Sequence, residues 1–161
     1  ELRPGLEVNL RIPALIPDDY LPDVHNRLVL YKRLSSAEGE DALLRLEGEM
    51  LDRFGPLPPP TRNLFSLARL RQLAATIGIA RIEAGTASGL LEFAKDTRVD
   101  PLTIVDLVQQ DPRRFRLDGG GSRLRFTEPL PDGPARLAFV EELLVRLAAR
   151  ANTAASRATR R

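Results

Sequence analysis

Apolar and polar residues recur with two different periods along this chain. Apolar side chains three and four positions apart are typical of amphipathic helices, and alternating ones are typical of half-buried strands. The helical period occupies five segments: 23–36, 38–54, the stretch from the proline run to residue 77, 101–108 and 134–151. The strand period occupies five short ones: 8–12, 79–84, 89–94, 115–117 and 124–126. The last four strands read as two hairpins, which predicts an α+β fold. In this predicted fold, several amphipathic helices pack with short strands and β-hairpins in a single compact domain.

The predicted helix ends carry residues that stabilise helix termini. Asp23 and Asp100 each precede a helical pattern, where a carboxylate can accept from free backbone N–H groups. Pro101 follows at a first helical position, which proline tolerates. Gly55 and Gly78 come directly after the last apolar residues of two helices, where glycine is favoured.

Two of the predicted helices have a face that we expect to be buried. The helix after Asp23 presents Leu28, Tyr31 and Leu34 on its apolar side. The helix over 38–54 carries a larger apolar set near one face: Leu43, Leu46, Met50, Leu51 and Phe54.

The domain is expected to cover residues 1–151. A chain of this length buries roughly 68–70% of its unfolded surface, so a core can form without disulfides. Residues 152–161 contain no large apolar side chain, which predicts a disordered tail. No apolar run approaches the ~18 residues of a membrane span, and no targeting segment is evident. We therefore expect a soluble, cytoplasmic chain that is excised from a longer protein.

Composition removes several classes of chemistry. The chain has no Cys and a single His, which excludes disulfides, thiolate zinc sites, cysteine nucleophiles and multi-histidine metal sites. His25 lies in the first turn of a predicted helix and is interpreted as structural. We expect no catalytic residue, no cofactor and no metal in this chain.

Two further motifs each suggest a binding site, but a structural interpretation is simpler for both. The glycines at 119–121 are not followed by Lys-Ser or Lys-Thr and are flanked by strand patterns, so they indicate a hairpin turn rather than a phosphate loop. Asp18, Asp19 and Asp23 lack a further ligand at a cation-binding spacing. Acidic residues before a helix stabilise its N-terminus in any case.

Charge is unevenly distributed along the chain. Of the 24 basic residues 22 are arginines, and the formal net charge is +2. Residues 1–110 contain 13 basic and 16 acidic groups, whereas residues 111–161 contain 11 basic and 6 acidic ones. The first region therefore carries −3 and the second +5. Any contact with a polyanion is expected in the C-terminal third.

One charged helix face has two interpretations. Arg45, Glu49, Asp52 and Arg53 lie on the same side of the helix over 38–54, because residues three and four apart are neighbours. They can form internal ion pairs on a solvated face. Alternatively, they can form a docking face that exchanges these weak pairs for pairs with a partner.

A series of motifs resembles a known family. In chain order they are 12–23 (IPALIPDDYLPD), 27–28 (RL), 30–34 (LYKRL), 51–58 (LDRFGPLP) and 67–71 (LARLR). Together, over about residues 6–150, they resemble the C-terminal domain of the bacterial transcription-repair coupling factors, the Mfd family.

This resemblance implies a regulatory module of a large DNA translocase. Members of the family use ATP to displace stalled RNA polymerase and then recruit UvrA. Their ATP and Mg belong to motor domains upstream of this fragment, which would itself be no enzyme. In the family this domain packs on the N-terminal UvrB-like module and masks its UvrA-binding surface, an autoinhibitory contact.

The resemblance favours the docking interpretation of the charged helix face. We expect Glu49 and Asp52 to pair with basic groups on the N-terminal module, and Arg53 with an acidic group or a carbonyl. Arg53 could instead be committed to an internal pair or a packing role.

The alternative function is an arginine-rich nucleic-acid-binding module around the second hairpin. Five arginines and two interleaved aromatics would form it: Arg113, Arg114, Arg116, Arg123, Arg125, Phe115 and Phe126. The aromatics could stack on bases. Alternation more simply buries them and exposes the arginines.

A third possibility is self-association through the heptad-like final helix. We expect the fragment to be monomeric.

Overall fold

A computed structural model describes the backbone of residues 5–159 and the side chains of residues 5–149. In chain order the elements are β1 (Glu7–Asn9), α1 (Val24–Ser36), α2 (Gly39–Phe54), α3 (Pro59–Ile77), β2 (Ile79–Ala84), β3 (Ser88–Phe93), α4 (Pro101–Gln110), β4 (Phe115–Asp118), β5 (Arg123–Thr127) and α5 (Gly133–Thr159). Both hairpins and the five helices occur where the sequence predicts them. The α+β class is confirmed.

The helix caps also follow the prediction. The Asp23 carboxylate accepts from the His25 backbone N–H at 2.8 Å, and that of Asp100 accepts from the Leu102 N–H at 2.9 Å. The glycines that follow α2 and α3 have φ angles of 89° and 77°, which other residues rarely adopt. Local sequence therefore sets these boundaries.

Contacts divide the chain into two compact units. The helical unit is Ile12–Gln72, and the sheet unit combines Glu1–Arg11 with Leu73–Arg161, so the boundary falls inside α3. The domain limits drawn from the sequence, 1–151 with a disordered tail at 152–161, stay a prediction. The α5 backbone continues past 151 to Thr159, but the side chains from residue 150 onward lie outside the described residues.

The helical unit packs α1, α2 and α3 residues around one apolar cluster. Its buried members are Ile16, Leu21, Leu30, Leu43, Leu46, Met50 and Phe65. Two predicted core positions are wrong: Leu28 is 62% exposed and Leu51 is 49% exposed. On α1 the buried leucine is Leu30. Leu28 faces nearly the opposite side, because each residue turns the helix by about 100°.

The sheet unit contains one five-stranded sheet in the order β1-β2-β3-β5-β4. β1 pairs parallel to β2, and the other three pairings are antiparallel. Ile82, Leu91 and Leu124 occupy one row of the register and are fully buried. On the same face the Phe126 ring lies 4.9 Å from the ring of Phe139, so α5 covers this side.

The opposite face of the sheet is polar. The next register row runs across all five strands through Asn9, Glu83, Leu90, Arg125 and Arg116. At about 4.8 Å between strands, this row is about 19 Å long.

β1 is shorter than the alternating pattern predicts. It ends at Asn9 instead of continuing to residue 12, because Arg11 has a φ of 55° and turns the chain out of the extended conformation. The Arg11 backbone N–H donates to Asn9 Oδ1 at 3.1 Å, and its carbonyl accepts from Arg136 Nη1 at 3.3 Å.

Candidate functional site

The α2 charged face, defined as Glu49, Asp52 and Arg53, lies in the last turns of α2, beside the buried stripe of that helix. That stripe consists of Leu43, Leu46 and Met50. Asp52 and Arg53 are exposed, and the Glu49 side chain is 36% exposed. None of the three contributes to the core of the helical unit, so all three are accessible to a partner.

Glu49 is shared between two arginines. Arg33, on α1, donates from Nη2 to Glu49 Oε2 at 2.5 Å, and Arg53 donates from Nη1 to Oε1 at 3.3 Å. The Arg53 guanidinium also lies 4.9 Å from the centre of the Phe54 ring. Asp52 makes no hydrogen bond or ion pair with the described residues. The face therefore combines one free carboxylate with a carboxylate that already holds two cations.

These pairs change the titration of Glu49. The hydrogen bond from Arg33 is the main cause that holds the pKa of Glu49 below its ordinary value, and Arg53 adds to the effect. The lowered pKa favours the ionised carboxylate. Above the ordinary pKa of glutamate, Glu49 is therefore fully ionised and the ion pairs with Arg33 and Arg53 contribute their full stabilisation. They are lost as the pH falls through the lowered pKa.

We expect a carboxyl NMR titration of Glu49 to report this lowered pKa directly. Arg33→Ala should raise the pKa of Glu49 toward the ordinary glutamate value, and Arg53→Ala should raise it less. An identical titration curve in the wild type and in Arg33→Ala would contradict the arrangement.

Exposed apolar side chains lie on the same two helices. Leu51 precedes Asp52 on α2, and Val29 lies one turn before Arg33 on α1, with exposures of 49% and 42%. A partner docked on charged groups of α1 and α2 could also bury apolar area there.

Comparison with known proteins identifies the fold and the family. The family model of the TRCF domain matches residues 10–104, more than half of the chain. The chain belongs to this family. The transcription-repair-coupling factor of Escherichia coli K12 is 43% identical over 138 residues, which are 86% of this chain and 12% of that protein. The corresponding protein of Haemophilus influenzae is 43% identical over 143 residues, 89% of this chain and again 12% of the relative.

A solved structure has the same fold. The crystal structure of a C-terminal domain of transcription-repair coupling factor matches with a TM-score of 0.73 and 21% identity. The match covers 92% of this chain and 99% of that one. This TRCF chain therefore has the fold of that C-terminal domain, and it spans only 12% of the length of the two relatives.

Arg33 is the residue of this TRCF domain that sequence reasoning missed. It lies 16 residues before Glu49, beyond the reach of any helical spacing, and only the packing of α1 against α2 brings the two together. The neighbour that spacing suggested, Arg45, forms no ion pair with Glu49.

The second hairpin does not expose the aromatic rings that the base-stacking alternative requires. Phe115 is 3% exposed and Phe126 is 1% exposed, so neither ring can stack on a base. Arg113 and Arg116 are exposed, whereas the Arg114 guanidinium lies 5.7 Å from the centre of the Phe115 ring and 5.2 Å from that of Phe139. Three of the five arginines are ion-paired: Arg114 with Glu128 at 2.7 Å, Arg123 with Glu92 at 3.6 Å, and Arg125 with Asp118.

The remaining candidate motifs have structural roles or no ligand geometry. The glycines at 119–121 form the turn between β4 and β5, with a positive φ at all three, as expected for a hairpin. Asp23 caps α1, and His25 donates its backbone N–H to that cap. Within the described part of the chain, no group of three acidic or histidine side chains is placed to hold a metal ion. No described helix is both long and apolar enough to cross a membrane.

Proposed function

We propose that this TRCF domain is an autoinhibitory module of a transcription-repair coupling factor. In this proposal the α2 charged face docks on the N-terminal UvrB-like module of the same protein and masks its UvrA-binding surface. The main support is the exposed face itself, in a chain whose family is shown. The charged side chains of this face are accessible, while other residues of α2, namely Leu43, Leu46 and Met50, form the core.

The pairing around Glu49 suits a contact that must open. A cation on the partner can pair with the Glu49 carboxylate only by competing with the two arginines that already hold it. The nitrogen of Arg33 lies 2.5 Å from a Glu49 oxygen, and that of Arg53 lies 3.3 Å from the other. The exchange of one set of pairs for another yields a small net free energy, whereas mismatched charges are strongly disfavoured. Such a contact is specific but remains close to balance between closed and open states.

Asp52 contributes differently to the proposed contact. It has no partner among the described residues, so a basic group on the N-terminal module gains a new pair without displacing one. Val29 and Leu51 add apolar area that is 42% and 49% exposed in the free chain. We expect Asp52 and this apolar area to provide attraction, and Glu49 with Arg53 to fix the register.

The catalytic steps lie elsewhere in the proposed parent protein. Its motor domains would bind ATP and Mg, move along DNA and displace RNA polymerase, and motor engagement would release the contact so that UvrA binds. This chain would supply only the autoinhibitory contact, with no catalytic residue and no cofactor.

The test is the substitution of the whole α2 charged face in the full-length protein. Glu49→Ala, Asp52→Ala and Arg53→Ala together should unmask the UvrB-like module and raise UvrA affinity at least about tenfold, since about 1.4 kcal/mol of lost docking energy corresponds to that factor. UvrA binding can be measured by biolayer interferometry on the immobilised full-length protein.

A matched variant controls for the loss of charge. Asp19→Ala, Glu38→Ala and Arg62→Ala remove the same three residue types from exposed positions of the same unit, and UvrA affinity should stay at the wild-type value. Thermal unfolding of both variants verifies the fold. Unchanged UvrA binding in a folded variant of the α2 charged face would refute the proposal.

A further inference from the structure

A groove of about 510 Å³ opens on the polar side of the sheet unit. Its floor includes the register row that runs from Asn9 to Arg116, and its walls come from the β2–β3 turn and the segment before β4. The segment that contributes Arg113 and Arg116 lies after residue 104, outside the range that the family model matches.

The groove is strongly basic. Five arginines line it, Arg11, Arg113, Arg114, Arg116 and Arg125, against a single carboxylate, Glu83. That carboxylate is already neutralised, because Arg81 donates to it from Nε at 3.1 Å and from Nη2 at 2.7 Å.

Three of the lining arginines have no side-chain partner among the described residues. Arg114 and Arg125 are paired with acidic side chains, but Arg11, Arg113 and Arg116 are exposed and make neither an ion pair nor a side-chain hydrogen bond. Unpaired guanidinium groups that line one groove give it a positive potential, and each can donate bidentate hydrogen bonds to an anion that enters.

The backbone holds Arg11 at the groove in an uncommon conformation. Its φ of 55° is the only positive one of a non-glycine residue in the described chain, and the buried Arg136 fixes its carbonyl. The Arg11 guanidinium consequently lies against Gly85, where a Cβ would be 3.2 Å from Nη1. The groove is thus lined by Arg11 at the β1 edge of the sheet and by Arg113 and Arg116 at the β4 edge.

The groove offers charge but little apolar surface. Its larger apolar side chains, Leu90, Phe115 and Phe126, are buried, and no large exposed hydrophobic residue of the described chain lines it. A peptide gains affinity mainly from apolar anchors or strand pairing. A phosphodiester backbone gains it from guanidinium contacts and counterion release, which this groove can supply.

We propose that this groove binds the phosphate backbone of nucleic acid through Arg11, Arg113 and Arg116, without reading base sequence. Arg114 and Arg125 remain in their ion pairs and add to the positive field. This proposal is independent of the contact proposed for the α2 charged face, which lies on the other unit, so each can fail without the other.

The test is fluorescence anisotropy of the 161-residue chain with a labelled random-sequence DNA duplex over a series of salt concentrations. The wild type should bind with an affinity that falls steeply with salt. Arg11→Asn, Arg113→Ser and Arg116→Ser together should weaken binding at low salt at least about tenfold and reduce the salt slope by about 2 to 3, since each phosphate contact contributes about 0.9. Asparagine is chosen at 11 because it tolerates a positive φ.

The control variant removes the same charge elsewhere. Arg45→Ser, Arg62→Ser and Arg98→Ser lower the formal net charge from +2 to −1, as the groove variant does, at exposed positions outside the groove. This variant should keep the wild-type salt slope. Equal losses in the two variants, absence of DNA binding by the wild type, or tighter binding of a poly-glutamate peptide than of DNA would each overturn the proposal.

Discussion

Gly89→Ala should lower the free energy of unfolding by about 3 kcal/mol, at the upper end of ordinary overpacking effects. A Cβ at this position would lie 2.2 Å from the Glu83 carbonyl oxygen and 2.4 Å from the Phe126 ring. The carbonyl belongs to β2, which is paired with β3 along its length, and Phe126 is 1% exposed beneath α5. Neither neighbour can move without breaking strand pairing or core packing. Thermal unfolding should show a decrease in Tm of roughly 6–12 °C.

Gly48→Ala is the matched control and should have the opposite sign. Gly48 lies in α2, and nothing is within 4 Å of the position of its added Cβ. Alanine in a helix interior is favoured over glycine by roughly 0.5–1 kcal/mol, so this variant should be slightly more stable than the wild type. Equal destabilisation by the two substitutions would mean that Gly89 is not required by packing.

Arg136→Met should destabilise the sheet unit by about 3 kcal/mol, since each buried carbonyl that loses its donor costs about 1–3 kcal/mol. Arg136 is 8% exposed and has no carboxylate within ion-pair distance among the described residues. Its Nε donates to the carbonyls of Leu130, at 3.2 Å, and Gly85, at 3.3 Å. Its Nη1 donates to those of Arg11, at 3.3 Å, and Leu10, at 3.4 Å. One guanidinium thus joins the end of β1, the β2–β3 turn and the segment before α5.

Urea unfolding measures this effect against two other variants. Arg116→Met removes an exposed arginine that has no side-chain partner among the described residues, and it should change stability by no more than about 0.5 kcal/mol. The stability of Arg136→Lys should lie between those of Arg136→Met and Arg116→Met. An ammonium keeps the charge, but it lacks the planar guanidinium that donates to three segments. Stability of Arg136→Met within about 0.5 kcal/mol of the wild type would contradict the bridging role.

Gly89 and Arg136 show where local sequence stops being informative. Gly89 was predicted only as the start of a strand, and Arg136 stood out in no pattern. Their roles depend on Phe126, which is 37 residues from Gly89 in the chain, and on Leu10, which is 126 residues from Arg136. Contacts over such separations leave no periodic trace in a single sequence.

The candidate site divides in the same way. Helical spacing placed Glu49, Asp52 and Arg53 near one another on α2, and in the structure none of the three side chains is buried. The pairing of Glu49 with Arg33 depends on how α1 packs against α2. That packing lowers the pKa of Glu49. It also means that a partner can pair with Glu49 only by replacing an arginine of this chain.

By itself, the sequence determined the α+β class, the helix caps at Asp23 and Asp100, both hairpins and the family, because these depend on neighbouring residues or on motifs read in order. Only the tertiary structure decided which arginines are free. Alternation predicted that the five arginines around the second hairpin are exposed, but ion pairs hold three of them, and the left-handed turn at Arg11 brings a distant one to the groove. The physical reason is that exposure and charge pairing depend on packing between segments far apart in the chain.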